Sequence, residues 1–483
     1  MSILSSSRRR WSVAPSIIIA SSVVLGCAGV RIPEEREDSF AAAVEASGQE
    51  RHASAAALAF HYVSGASTDD PRYDRGLRLL ASSAEGLGLS HAAALWWLEI
   101  AAARRDVELM PDAIAGLERI VMHGPHDSNT IVDGYLAAAE LQDLSPELQA
   151  FIDYQQGLDN ARKGLGEWAD ERFERIPDWS PYQPRAGYVQ AVRLVAQRQL
   201  DLAKDALEEL LDHEHLPDDL AVDIHRSLAR LHVEARRYPE ALEHYDVVRV
   251  NAPDAPEVLL EMAWTHYHMG ESRRSLGLLL ALDAPAYSAL IAPERFLLEA
   301  LALRRLCQFG RARQAAVRLW ARHGDALDDL YAGVPLERSE ALRAAATHQG
   351  DTRDLAHLRD RLKLERLEAT TLRRQIGSPL HEHLDKLYGR SIAEVERRLD
   401  ATIAREVSAL ADELLAADQG VRLILHELGV ALLRGRRRTE GLPESAPPSM
   451  ELAAEQAFFR FDGEFWTDEL DDLHVFAEDR CID

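Results

Sequence analysis

The chain has 483 residues, of which 47 % are hydrophobic and 28 % are charged, a composition typical of folded proteins. Its 80 acidic residues outnumber 55 basic ones and give a net charge of −25, so no basic stripe could displace the counterions of a nucleic acid. This balance argues against a nucleic-acid partner, whereas basic or neutral protein partners stay open.

The first predicted element is an export signal. Three arginines at positions 8–10 precede an apolar run from about Val13 to Leu25. This run is too short for the ~30 Å hydrocarbon core of a membrane. A basic region, a short apolar region and then small residues are the parts of a secretory signal peptide. We therefore expect residues 1–26 to be removed.

The residues around the predicted cleavage point resemble a bacterial lipobox. Val24-Leu25-Gly26-Cys27 matches it well at Gly26 and Cys27 and less well at Leu25. The resemblance implies that Cys27 carries the lipid, that residues 27–38 form a tether, and that Ala28 directs the protein to the outer membrane. Several acyl chains would hold it stably at a membrane surface. An uncleaved buried helix and a twin-arginine signal are the alternatives.

From Asp38 onward, apolar residues recur at steps of three and four, which predicts one α-helix after another. Residues 39–174 read as helical repeats with a degraded pattern. We expect the segment 52–64 to pair with 72–86, and 91–104 to pair with 110–123, as hairpins. The segment 175–187 contains three prolines and indicates a bend.

The clearest unit spans residues 222–255 and resembles a tetratricopeptide repeat, a helical hairpin of 34 residues. Leu228 and Ala229 match its large and small pair, Ala241 matches the small residue where the two helices cross, and Tyr245 matches the bulky residue after it. An alanine at a crossing allows two helix backbones to approach closely. The unit therefore predicts an α-solenoid.

Partial matches extend this unit into an array over residues 187–330. The next repeat keeps Met262 and Ala263 in register, and position 275 holds a serine in place of the crossing alanine. The predicted crossing positions are 206, 241, 275 and 315. This pattern is specific for a fold and says little about a function.

Long helices are predicted over residues 331–434. In the segment 391–418, apolar residues repeat at close to the helical period and form one stripe along the helix. This spacing indicates packing onto the solenoid, and a free coiled coil is the alternative. Residues 435–450 have the composition of a flexible linker. The stripe consists of Val395, Leu399, Ile403, Val407, Leu410 and Leu414.

The tail, residues 451–483, is rich in aromatic residues around the turn dipeptide Asp462-Gly463. We expect a short hook that docks its rings onto the helical body. Capping of the last hydrophobic face of the solenoid is favoured over a hook that binds a partner. The candidate docking residues are Phe459, Phe461, Phe465 and Trp466.

Residues 185–483 also resemble the repeat-containing outer-membrane lipoproteins of myxobacteria and related δ-proteobacteria. Members of that group end in an aromatic F-[DN]-G-E-[FY]-W-x-D-E-L motif, which Phe461 to Leu470 match. The resemblance implies membership of this lipoprotein group, some of whose members serve the adventurous gliding-motility machinery.

Motifs for catalysis are absent from the sequence, which contains no nucleophile elbow, P-loop or paired CxxC. We predict no catalytic residues, no metal and no cofactor. Histidine pairs at 213 and 215 and at 381 and 383 read as solvated polar positions, and His266 as a packing residue. Cys307 and Cys481 could form a disulfide in an oxidising compartment, but two free thiols are favoured.

These observations predict a non-enzymatic adaptor that a lipid anchors to the periplasmic face of the outer membrane. Its repeats would bind peptides or segments of other envelope proteins in their groove. A peptidoglycan-acting enzyme or its activator, and a structural lipoprotein without a specific ligand, are the alternatives. The oligomeric state is left open. The candidate contact residues, expected to be exposed on the first helices of the repeats, are Arg226, Arg230, Glu261 and His268.

Overall fold

The computed structural model describes residues 36–141, 143–252, 257–284, 292–347 and 350–436, together with 473, 475 and 477–481. It confirms the predicted all-α solenoid. The first part contains α1 (Arg36–Gly48), α2 (His52–Val63), α3 (Tyr73–Gly86), α4 (Ser90–Ala103), α5 (Met110–His123), a π-helix (Asn129–Leu136), α6 (Pro146–Arg162), α7 (Gly166–Phe173), α8 (Gln183–Ala196) and α9 (Leu200–Leu211). The second part contains α10 (Asp218–Glu234), α11 (Tyr238–Asn251), α12 (Glu257–Met269), α13 (Ser272–Ala281), α14 (Glu294–Arg305), α15 (Phe309–Tyr331), α16 (Glu340–Ala346), α17 (Gly350–Thr371) and α18 (Arg373–Arg436).

One turn recurs along the solenoid and defines its hairpins. A residue with φ between +52° and +91° ends the first helix, and the N–H of the following residue donates to a carbonyl five residues back at 2.8–2.9 Å. This is a Schellman motif, which satisfies the free carbonyls of a helix end. Seven such turns join the two helices of a hairpin, and Gly333 makes the same turn after α15. The left-handed residues of the seven hairpin turns are Glu50, Gly88, Gly164, Arg198, Arg236, Gly270 and Cys307.

In each of the seven hairpins a small, fully buried residue follows the turn at a fixed distance. The residue five positions after the left-handed one is alanine or serine and has no exposed surface, as predicted for Ala241 and Ser275. Counted from the turns at Arg198 and Cys307, the positions equivalent to Ala241 and Ser275 are Ala203 and Ala312, so the predicted positions 206 and 315 are three residues out of register. The full set is Ala55, Ala93, Ala169, Ala203, Ala241, Ser275 and Ala312.

The first helices pack against both of their neighbours in the chain. As predicted, α2 packs against α3, and α4 packs against α5. The Schellman turns at Glu50 and Gly88 also join α1 to α2 and α3 to α4, so the regular hairpin units begin one helix earlier than the sequence indicated.

The long helices α17 and α18, called the brace below, connect the two ends of the solenoid. α18 packs against α2 and α4 near the N-terminus and against α14, α15 and α16 near the C-terminus. All six predicted stripe residues are buried, so packing onto the solenoid is confirmed. Gly377, with φ +78°, interrupts α18 just before Pro379, and glycine is the residue that tolerates this conformation.

A buried carboxylate fixes the brace at each end. Glu365 of α17 accepts hydrogen bonds from the backbone N–H of His91 at 3.0 Å and from the hydroxyl of Tyr388 at 2.8 Å. Asp418 of α18 accepts hydrogen bonds from Trp320 Nε1 and Arg422 Nε, both at 2.7 Å, and from the Tyr331 hydroxyl. Burial raises the pKa of Glu365. For Asp418, burial is outweighed by hydrogen bonds from Arg422, Tyr331 and Trp320, which lower its pKa.

The described part of the C-terminal tail is bonded covalently to the solenoid. Cys307 and Cys481 form a disulfide with their Cα atoms 5.1 Å apart, so the prediction of two free thiols is wrong. The turn of α14 and α15 presents Cys307 to the tail, which also donates from Val475 N–H to the Arg273 carbonyl and from Arg480 N–H to the Leu306 carbonyl.

Buried histidines predict a loss of stability in acid. Burial lowers the pKa values of His91 and His323 to about 4, and burial together with two neighbouring histidines does the same for His244. An unfolded histidine titrates near ~6.5, so the unfolded chain takes up protons first. The stabilising effect is therefore complete above that pH and decreases as the pH falls towards 4.

We expect urea denaturation to give a lower free energy of unfolding at pH 5 than at pH 7.5, with His91 alone contributing about 2 kcal/mol. The His91→Gln variant should show a smaller difference between the two pH values. An unchanged difference in this variant would contradict the role of His91.

Candidate functional site

An ion-pair cluster joins the first helices of two neighbouring hairpins, α10 and α12. Glu261 lies between Arg226 and Arg230, and its Oε1 is 2.7 Å from Nη2 of each arginine. Arg230 Nε also donates to Oε2 at 3.0 Å. Burial would raise the pKa of Glu261, but the hydrogen bonds from Arg230 and Arg226 outweigh it and keep this pKa low. The cluster thus carries a net positive charge in an acidic protein.

The structure modifies the expectation that all four candidate residues are exposed. The side chain of Arg230 is 58 % exposed, whereas Arg226 and Glu261 retain only 27 % and 22 %. Their mutual pairing across the hairpin boundary accounts for this burial, so they support Arg230 rather than face the solvent freely. His268 is exposed, as predicted.

His268 belongs to a row of rings, called the aromatic row below, that begins at α11 and continues along α12. Its ring stacks on Tyr238 and on Trp264, with centroids 5.9 and 5.8 Å apart. Trp264 contacts Tyr267 edge to face, and the Arg305 guanidinium of α14 lies 5.5 Å from the Tyr267 centroid. Trp264 and Tyr267 are half-buried and serve both the core and the surface.

The cluster and the aromatic row together form a basic and aromatic surface on rigid helices. Arginine and large aromatic residues supply most of the binding energy at protein interfaces. Because the rings are packed against one another and the arginine is held by Glu261, this surface needs little ordering on binding. Such an arrangement is suited to an extended segment with acidic and apolar side chains.

Three further histidines lie together, which no sequence pattern had indicated. Nδ1 of His225 on α10 is 2.8 Å from Nδ1 of His244 on α11, and the His232 ring stacks on His244 with centroids 5.4 Å apart. Burial lowers all three pKa values. His232 precedes His266 by one repeat of 34 residues, but this spacing does not indicate that His225 and His244 lie beside it.

The structure places His266 as predicted, buried in the hairpin with its Nδ1 2.7 Å from Glu271. In the pair at 213 and 215, the His215 N–H donates to His213 Nδ1 at 3.1 Å. Within the described ranges no three His, Cys, Asp or Glu side chains are arranged to hold a metal ion.

The predicted lipidation residue Cys27 lies outside the described residues, as does the predicted linker beyond position 436. In the part of the chain that the structure describes, no helix is both long enough and apolar enough to cross a membrane. The aromatic candidates of the tail also lie outside this part: Phe459, Phe461, Phe465 and Trp466.

Comparison with known proteins leaves the function open. No protein-family model matches the chain, and no curated protein sequence matches it. A solved structure described as a "Circular tandem repeat protein with novel repeat topology and enhanced subunit contact surfaces" aligns with 83 % of this chain and 91 % of that chain at 15 % identity and a TM-score of 0.14. A score this low carries no argument about function. A helical repeat fold is nevertheless typical of non-enzymatic scaffolds for protein interaction.

Proposed function

We propose that the protein is a lipid-anchored scaffold on the periplasmic face of the outer membrane, where it binds other envelope proteins. The observation that carries the proposal is the basic and aromatic surface on α10 and α12. The partner supplies an extended segment with acidic side chains for Arg230 and apolar or aromatic side chains for the aromatic row.

Two features support the proposed location. The lipobox-like residues ending at Cys27 give the protein an anchor. The bond between Cys307 and Cys481 belongs to proteins of oxidising compartments, such as the bacterial periplasm. The resemblance of the tail motif to myxobacterial lipoproteins makes components of the gliding-motility machinery the first partners to test.

Co-purification from crosslinked membranes tests both parts of the proposal. The wild type should fractionate with the outer membrane and incorporate labelled fatty acid, and Cys27→Ser should do neither. Arg230→Glu should reduce recovery of a defined set of envelope proteins at least tenfold, because the acidic segment then meets a like charge.

Arg313→Glu is the matched control, since Arg313 is exposed on the second helix of the last hairpin and the change in net charge is the same. Its recovery should equal that of the wild type. A soluble, unlabelled wild type would refute the anchor, and equal losses in both charge variants would refute the binding surface.

A further inference from the structure

The segment that follows α5 departs from the repeat, and it also lines a cavity. Here α5 ends at Gly124, which is extended, in place of a Schellman turn, and the next helical element is a π-helix. Between this segment, the end of α6 and the brace lies a cavity of about 420 Å³. This volume is in the range of small-molecule sites.

The π-helix is a specific feature of this sequence. A Cβ at Gly134 would lie 2.9 Å from the carbonyl oxygen of Asn129, five residues earlier, so a glycine accommodates the wide turn. Turns of this kind are rare and occur frequently at functional sites, because they redirect side chains out of the regular helical register. Here they direct Asn129 and Asp133 to the cavity wall.

Three arginines line the cavity from two different elements. Arg398 of α18 pairs with Asp127, and Arg162 at the end of α6 is 4.0 Å from Asp133. Arg405, two turns after Arg398, donates to Thr402 Oγ1 at 3.1 Å. Among the described residues no carboxylate lies within ion-pair distance of Arg405. Its charge is therefore available to a ligand.

The remaining wall suits an organic molecule. Leu355 and Leu358 of α17 supply apolar surface, and Asp354 is the other acidic residue at the cavity besides Asp133. A pocket with an apolar wall and a few converging polar groups is the usual form of a small-molecule site. Guanidinium groups bind carboxylate and phosphate groups in particular, since their parallel N–H donors match two oxygens.

We propose that this cavity binds a small organic anion through a carboxylate or phosphate group held by Arg405, with Arg162 as the second cationic contact. The site goes beyond the proposed scaffold function and does not depend on it. Because Arg162 belongs to the solenoid and Arg405 to the brace, the ligand links the two. Its binding should therefore slow amide exchange in the start of α17 and the middle of α18.

Isothermal titration at pH 7.5 and constant ionic strength tests the site, with citrate and inorganic phosphate as probes and chloride as the reference anion. We expect citrate or phosphate to bind the wild type with saturation, and Arg405→Ala to weaken this binding at least tenfold. The control is Arg390→Ala on the same helix, an exposed arginine that donates to the Lys386 carbonyl. It should bind as the wild type does.

Circular dichroism and urea denaturation first establish that both variants fold, which the surface position of each side chain favours. Hydrogen exchange then compares the α17 start and the α18 middle with and without the probe. No saturable binding of either probe at 10 mM (about 100 times a Kd of ~0.1 mM) overturns the proposal. Equal binding by Arg405→Ala and the wild type overturns it as well.

Discussion

Replacement of Asp418 by alanine is expected to lower the free energy of unfolding by about 3 kcal/mol. The carboxylate has no exposed surface and accepts hydrogen bonds from Trp320, Tyr331 and Arg422. Its removal leaves the donors of two aromatic residues without an acceptor at the contact of α18 with α15. Urea denaturation at pH 7.5 measures the change.

Asp412→Ala is the matched control, because Asp412 is exposed on the same helix. It should change the free energy of unfolding by less than about 0.5 kcal/mol. If Asp418→Ala also lowered the free energy of unfolding by less than about 0.5 kcal/mol, the brace would not depend on this carboxylate.

Reduction of the disulfide is the second change with a large expected effect. The bond closes a loop whose ends are 174 residues apart, and in the chain-entropy model a loop of this size stabilises by up to about 5 kcal/mol. We expect Cys481→Ser to lower the free energy of unfolding by about 3–5 kcal/mol, the upper part of the range for single disulfides. The tail would also lose its covalent attachment to the turn of α14 and α15.

The measurement uses the Cys27→Ser background, so that Cys307 and Cys481 are the remaining cysteines. A reductant should destabilise the Cys27→Ser protein as much as the further Cys481→Ser change does. It should have no effect on the double variant. Equal stability with and without reductant in the Cys27→Ser protein would contradict a structural disulfide.

The sequence was sufficient to predict the solenoid where its repeat is well kept. Ala241 and Tyr245 in the 222–255 unit are buried as predicted, and the apolar stripe from Val395 to Leu414 packs as predicted. These predictions succeed because close helix packing restricts the size and the spacing of the buried residues, and both can be read from the amino-acid sequence.

The helix at which the regular hairpins begin could not be predicted, for a physical reason. The left-handed position of the first turn holds Glu50 rather than glycine, so the strongest local marker of a helix end is missing there. Both faces of alanine-rich helices such as α2 are buried, which leaves several pairings equally compatible with the pattern.

Contacts between distant segments were equally invisible. The spacing of Cys307 and Cys481 contains no information about their proximity, and the cavity combines Arg162 with Arg405 from separate elements. Arg226 and Glu261 lie about one repeat apart in the sequence. Both were predicted to be exposed contact residues, but in the structure they form an ion pair with each other. Their shared role is to position a surface of which Arg230 and His268 are the exposed parts.

Site-specific photo-crosslinking in cells tests most directly whether α10 and α12 bind an envelope partner. A photoreactive residue in place of His268, on the aromatic row, should trap a defined envelope protein, and the Arg230→Glu change should abolish the product. The same residue in place of the exposed Glu243, on the second helix of its hairpin, should trap none. Identical products from both positions, or none from position 268, would contradict the proposed binding surface.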